Sequence, residues 1–543
     1  MIDIANQYAV KIDYQKDGKL LETMILFSPD IKIIKNIRIK YENTGFSKEI
    51  ENIIENDQTE ISYIQINYLK HEIFAFRSIT SHYELFYYEQ KILGKGYEVE
   101  RDIIITDHII NMLSYLPVSK RSLCIEGICD VFLYQHSYGK ETYIKNIYRL
   151  GYGELLSYQE NKISVQIVQT LELGKYDLKK EQGADVLENS LREACQKMQK
   201  KESINTLSGG IDSTLTHIIM GNPHSISGSY EYPKFLCEKE YAQEAARLLH
   251  ANHVVYDISM KDYMSYMIKT VKHYGLSVYN MTAQIIHHVL AECVEQEHMF
   301  VSELAGAVYG LELRTPYTKE QAEKYSFFDN YNYANVNSSI ARWEDVQKIS
   351  NIFGKTMIDK QLTKRNDYVL NRLKGFDTYD KSSDNYLQLG HLMYWFTNNG
   401  VSVLEQTEMV FKKTISALFS ARKVVEEFLS LELHERYKNE QYGEKPYAKQ
   451  LLEKLLPTYD VKKKKLGGSL PRTYMVTEGP MAGYFRKHKI PDFVDKSLYD
   501  IILAPTWETS WCVKYLIMYS VWYENVMCCE VEKIPSKFQI NLE

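Results

Sequence analysis

The stretch Ile204-Asn205-Thr206-Leu207-Ser208-Gly209-Gly210-Ile211-Asp212-Ser213-Thr214-Leu215-Thr216 decides how this chain is read. It opens as a short apolar strand, turns through Ser-Gly-Gly and continues with the apolar spacing of a helix. Such a strand-to-helix turn is an anion site. Glycine lets the backbone approach a phosphate, and the free N–H groups and dipole of the new helix favour negative charge. Ser208 and Ser213 add hydroxyl donors, and Asp212 is placed to hold a magnesium ion that bridges phosphate oxygens. The stretch lacks the Lys-Ser/Thr pair that closes a Walker loop and the three spaced glycines of the dinucleotide fingerprint.

A chain of 543 residues predicts two or more domains, each able to bury its own core. A formal net charge of -6 argues against a nucleic-acid surface, and the run Lys462 to Lys465 is too local to change that. Eight scattered cysteines fit a reducing compartment better than a disulfide scaffold. Cys124 and Cys129 have no partner pair at metal-like spacing, so zinc is not expected. The start, Met1-Ile2-Asp3-Ile4-Ala5-Asn6, lacks the basic and apolar segments of a signal peptide. No apolar run approaches the ~18 residues of a membrane span. The expectation is a cytoplasmic protein with no membrane and no nucleic-acid partner.

The first 170 residues or so read as strands, at Ile25 to Ile34, Ile61 to Tyr68, Glu72 to Arg77 and Glu84 to Tyr88, with a hairpin from Glu154 to Val168 turning at Glu160-Asn161. Asp107 to Ser114 and Ser122 to Tyr134 read as helices. From Lys179 to Lys201 the period becomes that of an amphipathic helix, and a boundary is placed near 180. Strands at Ser225 to Tyr230, Val254 to Tyr256 and Met299 to Val301 then alternate with helices at Cys237 to Leu249 and Ile285 to Val294. This order predicts an α/β domain with a doubly wound parallel sheet and ligands at the carboxyl ends of its strands. From about Asp345 onward the chain reads as mostly helical. Trp507 and Trp511 are expected to pack rather than bind substrate.

Ser208 to Ser213 resembles the Ser-Gly-Gly-x-Asp-Ser pyrophosphate loop of the N-type ATP pyrophosphatases, which grip the pyrophosphate of ATP and transfer AMP to an acceptor oxygen. Later segments narrow the resemblance to the asparagine synthetase family. Cys237-Glu238-Lys239-Glu240-Tyr241-Ala242 looks like its Asp-Glu-x-x-Tyr-Ala helix, and His273 through Ser302 looks like the segment before its second pyrophosphate loop. Phe419 to Phe428, Lys445-Pro446 through Pro457, and Lys464-Lys465-Leu466-Gly467-Gly468-Ser469-Leu470-Pro471 are similar to its last motifs. Ser81 to Tyr88 and Ile147 to Leu155 resemble signatures of its amidotransferase domain. The resemblance implies a β-rich amidotransferase-like sandwich over residues 1–180. An adenine nucleotide α-hydrolase-like ATP-pyrophosphatase domain with a helical carboxyl-terminal part would fill residues 181–543.

The resemblance also implies the site. Leu207, Ser208, Gly209, Gly210, Ile211, Asp212 and Ser213, with Ser227 and Ser302 on later segments, would bind ATP. Asp212 and Glu303 would hold Mg2+. Lys465 would stabilise the charge that develops as an acyl-adenylate collapses, and Lys445 has a weaker claim to catalysis. The departures matter equally. The family's glutamine-hydrolysing nucleophile is an amino-terminal cysteine, whereas residue 2 here is Ile and the first cysteine is Cys124, so no glutaminase activity is expected. The family's second loop, Ser-Gly-Glu/Asp-Gly-x-Asp-Glu, is replaced by Ser302-Glu303-Leu304-Ala305-Gly306-Ala307-Val308-Tyr309, with Glu303 the one carboxylate left. Leu418-Phe419-Ser420-Ala421 stands where the family has Pro-Phe-Leu-Asp.

The function expected is ATP-dependent amide formation through carboxylate adenylation, with AMP and pyrophosphate released. The acid and amine are open: a small acid with ammonia or a small amine, or a peptide closed on itself as in the lasso-peptide macrocyclases, where a leader-processing partner would be expected. The third alternative is a non-catalytic scaffold that keeps the fold and the nucleotide.

Overall fold

The computed structural model describes residues 8–16, 19–28, 37–39, 62–67, 72–81, 83–93, 99–106, 108–134, 139–159, 162–179, 182–199, 202–276, 281–303, 305, 351–374, 404, 407–408, 411, 413–431, 438–463, 470–507, 509–532 and 536–542. Ten strands come first: β1 (Tyr8–Lys16), β2 (Lys19–Ser28), β3 (Ile37–Ile39), β4 (Ser62–Asn67), β5 (Glu72–Arg77), β6 (Phe86–Leu93), β7 (Val99–Thr106), β8 (Ile147–Arg149), β9 (Glu154–Gln159) and β10 (Lys162–Ile167). Helices α1 (Ile109–Leu113) and α2 (Ile125–Tyr134) interrupt them. One sheet runs β10-β9-β5-β4-β3. In β5 the residues Ile73, Phe74, Ala75, Phe76 and Arg77 are all buried, so both faces of this strand are covered. The expected hairpin is present, with Lys162 opposite Gln159, and its turn lies outside the described residues.

The short strand β11 (Leu171–Glu172) precedes α3 (Gly183–Met198). Leu187, Leu191, Ala194 and Cys195 of α3 are buried, the i, i+4, i+7, i+8 spacing of an amphipathic helix. Then follow β12 (Ser203–Thr206), α4 (Ile211–Met220), β13 (His224–Tyr230), α5 (Pro233–Leu248), β14 (Asn252–Ile258), α6 (Tyr263–Tyr274), α7 (Met281–Cys293) and β15 (His298–Val301). Beyond α8 (Lys355–Leu370) and β16 (Leu373–Lys374) lies β17 (Thr414–Ala417). The parallel sheet has the order β14-β13-β12-β15-β17. From β12 the chain builds outward through β13 and β14, then returns to the other side of β12 for β15 and β17. Its direction of winding therefore reverses between β12 and β15. The crevice at the carboxyl ends of those two strands is where doubly wound sheets bind ligands.

The carboxyl-terminal part holds α9 (Arg422–Ser430), the pair β18 (Lys438–Asn439) and β19 (Gly443–Glu444), α10 (Pro446–Leu455), α11 (Arg472–Thr477), α12 (Tyr499–Leu503), α13 (Ser510–Trp522) and β20 (Ser536–Leu542). Helix α13 is apolar on every side and nearly all of it is buried, the pattern of a central core helix. The Trp522 indole N–H donates to the Gly275 carbonyl at 2.8 Å, tying α13 to the end of α6.

Three features of this part differ from the sequence expectation. Thr414–Ala417 is a strand of the central sheet within a region read as helical, because four residues carry no period that separates strand from helix. Ser536–Leu542 is also a strand; it pairs in parallel with β1 and completes the six-stranded sheet β20-β1-β2-β7-β6-β8. Trp511 packs as expected, but Trp507 is 64% exposed, since it sits in the turn before α13 instead of in the helix. Further, β6 starts at Phe86 and runs to Leu93, past the Tyr88 expected as its end. Strand β2 ends at Ser28, and the rest of the strand expected at Ile25 to Ile34 lies outside the described residues.

Polar clasps join the amino-terminal sheets to the rest. Arg149 pairs with Glu84 at 2.7 Å, and the Tyr274 hydroxyl of α6 donates to the same buried carboxylate at 2.9 Å. Arg121 donates to the carbonyls of Leu113 and Leu116 and to those of Val526, Met527 and Cys529 just after α13.

Candidate nucleotide site

The loop between β12 and α4 holds its shape through its own hydroxyls. The Ser208 N–H donates to Ser213 Oγ at 3.1 Å, and the two serine hydroxyls lie 3.0 Å apart. Thr214 Oγ1 donates to the Gly210 carbonyl at 2.7 Å, and Asn205 Nδ2 donates to the Ser213 carbonyl at 3.1 Å. No side chain caps α4 at Gly210, which leaves first-turn N–H groups to a ligand. Gly209 has φ +73°, and a Cβ there would lie 2.2 Å from the Tyr241 carbonyl oxygen. The residue must be glycine for both reasons, because α5 packs directly on the turn. Leu207 is fully buried and its N–H donates to the Ile226 carbonyl, so its part in the site is to hold the strand end.

Asp212 stands in the first turn of α4. Its Oδ2 is 2.5 Å from Lys445 Nζ, while Oδ1 is buried with no hydrogen-bond partner. Lys445 is itself buried and carries φ +56°, directly before Pro446, the first residue of α10. A lysine in the left-handed region is strained, and here the strain brings its ammonium onto Asp212. The residue with the weaker sequence claim is thus the cation set against the loop. Its signal was a Lys-Pro pair opening a helix; the proline by itself favours an extended residue before it, so the left-handed angle of Lys445 comes from the fold.

The second loop begins where β15 ends. Ser302 Oγ lies 3.0 Å from Thr216 Oγ1 of α4, so the first residue of the second loop is held against the helix that the first loop opens. Glu303 faces His287 of α7, with Oε1 and Nε2 3.4 Å apart, and His287 Nδ1 is buried with no partner. Ser227 sits on β13 with its hydroxyl 3.1 Å from His253 Nε2, and His253 Nδ1 lies 2.9 Å from Ser225 Oγ. Burial pushes His253 below its ordinary range. Among the described residues no three His, Cys, Asp or Glu side chains form a metal-binding group. A magnesium ion carried by nucleotide phosphates needs only one or two carboxylates, and the orphaned Oδ1 of Asp212 fits that demand.

Tyr459, not singled out in the sequence, donates its hydroxyl to the Gly209 carbonyl at 2.6 Å. Burial raises its pKa to about 12, which keeps it a neutral donor. Lys465 and the rest of 464–469 lie outside the described residues. Lys463 beside them pairs with Glu244 on α5 and lies 3.5 Å from the Tyr241 ring centroid, so this member of the basic run is anchored beside the loop.

No helix among the described residues is long and apolar enough to cross a membrane. No curated protein matches the chain. The family model for asparagine synthase matches residues 183–500, from the start of α3 to the start of α12 and across both loops. With more than half its length matched and its parallel sheet wound as expected, the chain belongs to the asparagine synthase family, whose members are ATP-dependent ligases.

Proposed function

We propose that this protein forms an amide bond by adenylating a carboxylate. The observation that carries the reading is the uncapped start of α4 at the reversal of the sheet, with Ser208 and Ser213 lining it and Lys445 buried against Asp212. The loop N–H groups and Lys445 would hold the β- and γ-phosphates of ATP. Asp212 would hold Mg2+, which supplies charge neutralisation to the phosphates when bound. A carboxylate oxygen attacks the α-phosphorus, the bond to the bridging oxygen breaks, and pyrophosphate leaves. The amine nitrogen then attacks the acyl carbon, loses a proton, and AMP departs. Lys465, by the resemblance, would face the oxyanion of that second step, where a fixed cation is worth a few kcal/mol. The seven free cysteines among the described residues and the need for ATP support action in the cytoplasm.

Positional isotope exchange in 18O-labelled ATP and pyrophosphate release, across a panel of acids, amines and linear peptides, would test this. Asp212→Asn should weaken MgATP binding at least tenfold and lower turnover further. Linear peptides that lose water on turnover would assign the macrocyclase chemistry; small acids consumed with ammonia would assign the small-molecule one. A second reading has its own support: Glu303 faces His287 instead of standing free for a metal. Wild-type protein that binds ATP yet releases no pyrophosphate with any substrate offered would move the non-catalytic reading ahead.

A further inference from the structure

One peptide of the β12–α4 loop has glycine on both sides, the unit between Gly209 and Gly210. A trans peptide points its carbonyl and its N–H in opposite directions, so whatever fixes one fixes the other. Here the carbonyl faces inward, where the Tyr459 hydroxyl donates to it at 2.6 Å. The Gly210 N–H faces the exposed side of the loop and is held only loosely, 3.4 Å from Ser208 Oγ. With Gly209 in the left-handed region at φ +73°, that N–H joins the uncapped first turn of α4 in a concavity of backbone donors. Tyr459 comes from outside the loop. It follows the end of α10, is buried, and donates its own N–H to the Leu456 carbonyl at 3.0 Å.

We propose that Tyr459 is a positioning residue of the nucleotide site, holding the Gly209–Gly210 peptide with its N–H toward the pyrophosphate of ATP; this rests on the nucleotide reading above. Glycine on both sides makes the opposite orientation accessible. A flip rotates ψ of residue 209 and φ of residue 210 by roughly 180° each, carrying the latter from -81° to about +100°. With ψ at 165°, Gly210 would then lie in a region that glycine alone occupies. The flipped peptide turns a carbonyl oxygen toward the phosphates, replacing a donor by a repelling dipole. The next peptide lacks this freedom, because the Gly210 carbonyl accepts from the Thr214 N–H at 3.0 Å and from the Thr214 hydroxyl at 2.7 Å. Without the phenol, the Gly209 carbonyl is left buried and unsatisfied, a cost that the flip relieves.

The test measures, by calorimetry on the full chain, affinity for MgATP, for magnesium pyrophosphate and for AMP, which lacks the phosphates that the loop grips. Tyr459→Phe keeps the ring and removes the donor. It should bind MgATP and pyrophosphate about tenfold more weakly, since affinity scales with the fraction of loops in the competent orientation, and AMP as wild type does. Adding Gly210→Ala to that variant should restore most of the loss. Alanine fits the present φ of -81°, with Ser208 Oγ its nearest neighbour at 3.5 Å, but not the flipped conformation. Equal MgATP affinity in wild type and Tyr459→Phe would overturn the proposal. So would an equal loss for AMP, which marks general damage to the site, or a double variant as weak as the single one. Wild type that binds neither MgATP nor pyrophosphate would remove the nucleotide reading itself, and this inference with it.

Discussion

Replacing each loop glycine in turn by alanine separates two demands that look identical in the sequence. At Gly209 the added methyl meets a positive φ of 73° and a backbone oxygen 2.2 Å away, with the Ala242 nitrogen at 2.6 Å. The left-handed conformation alone costs a non-glycine residue about 1–2 kcal/mol. The contact is more than 1 Å short of ordinary van der Waals distance, and its far side is backbone, which cannot rotate away. Either α5 moves or the turn does, and Ala242, Ala245 and Ala246 hold α5 in the core. The expected loss is about 3 kcal/mol or more of stability, a large share of what a domain has. ATP affinity should fall at least tenfold as the loop shifts. At Gly210 φ is -81° and the nearest atom to a new Cβ is Ser208 Oγ at 3.5 Å. Gly210→Ala should change stability by less than about 0.5 kcal/mol. Urea unfolding and calorimetric ATP titration read both quantities. Equal losses in the two variants, or a Gly209→Ala protein that unfolds and binds as wild type does, would refute the reasoning.

Acid should destabilise the fold in a definite window. Burial lowers His108 to about 4 and His288 to about 3, against 6.5 unfolded, so both stay neutral when folded and take up protons on unfolding below that value. Stability is full above pH 6.5 and falls as pH drops toward the folded values, at up to about 1.4 kcal/mol per unit for each histidine. Denaturation measured between pH 7 and 4 should show a shallower slope in His288→Leu than in wild type, and identical slopes would exclude this histidine. Arg121→Met leaves five carbonyls without their buried cation and should cost about 3 kcal/mol in urea unfolding, while a change under about 0.5 kcal/mol would show the clasp to be idle.

Local features were the ones legible in the sequence. The β12 turn and the α3 stripe each sit within a few residues, so period and glycine placement were enough to find them. The sheet order was open to inference from alternation, but β17 was hidden, because four residues become a strand only when β15 lies alongside. Lys445 was underrated for a related reason. Its importance comes from Asp212, 233 residues away, and from a backbone angle that no spacing encodes. His287 and Tyr459 are ordinary helix and loop residues until the fold sets them against Glu303 and the Gly209 carbonyl.

The parallel pairing of β20 with β1 bears on how the protein is made. Tyr14 is matched with Leu542, so one edge of β1 waits for residues that leave the ribosome more than five hundred positions later. At roughly 5–20 residues per second that interval is on the order of half a minute to two minutes. Throughout it, the nascent chain presents an unpaired strand edge open to its neighbours on the same message. Completion of the first sheet therefore waits on residues made more than five hundred positions after its first strand, and expression conditions that slow elongation lengthen the exposure.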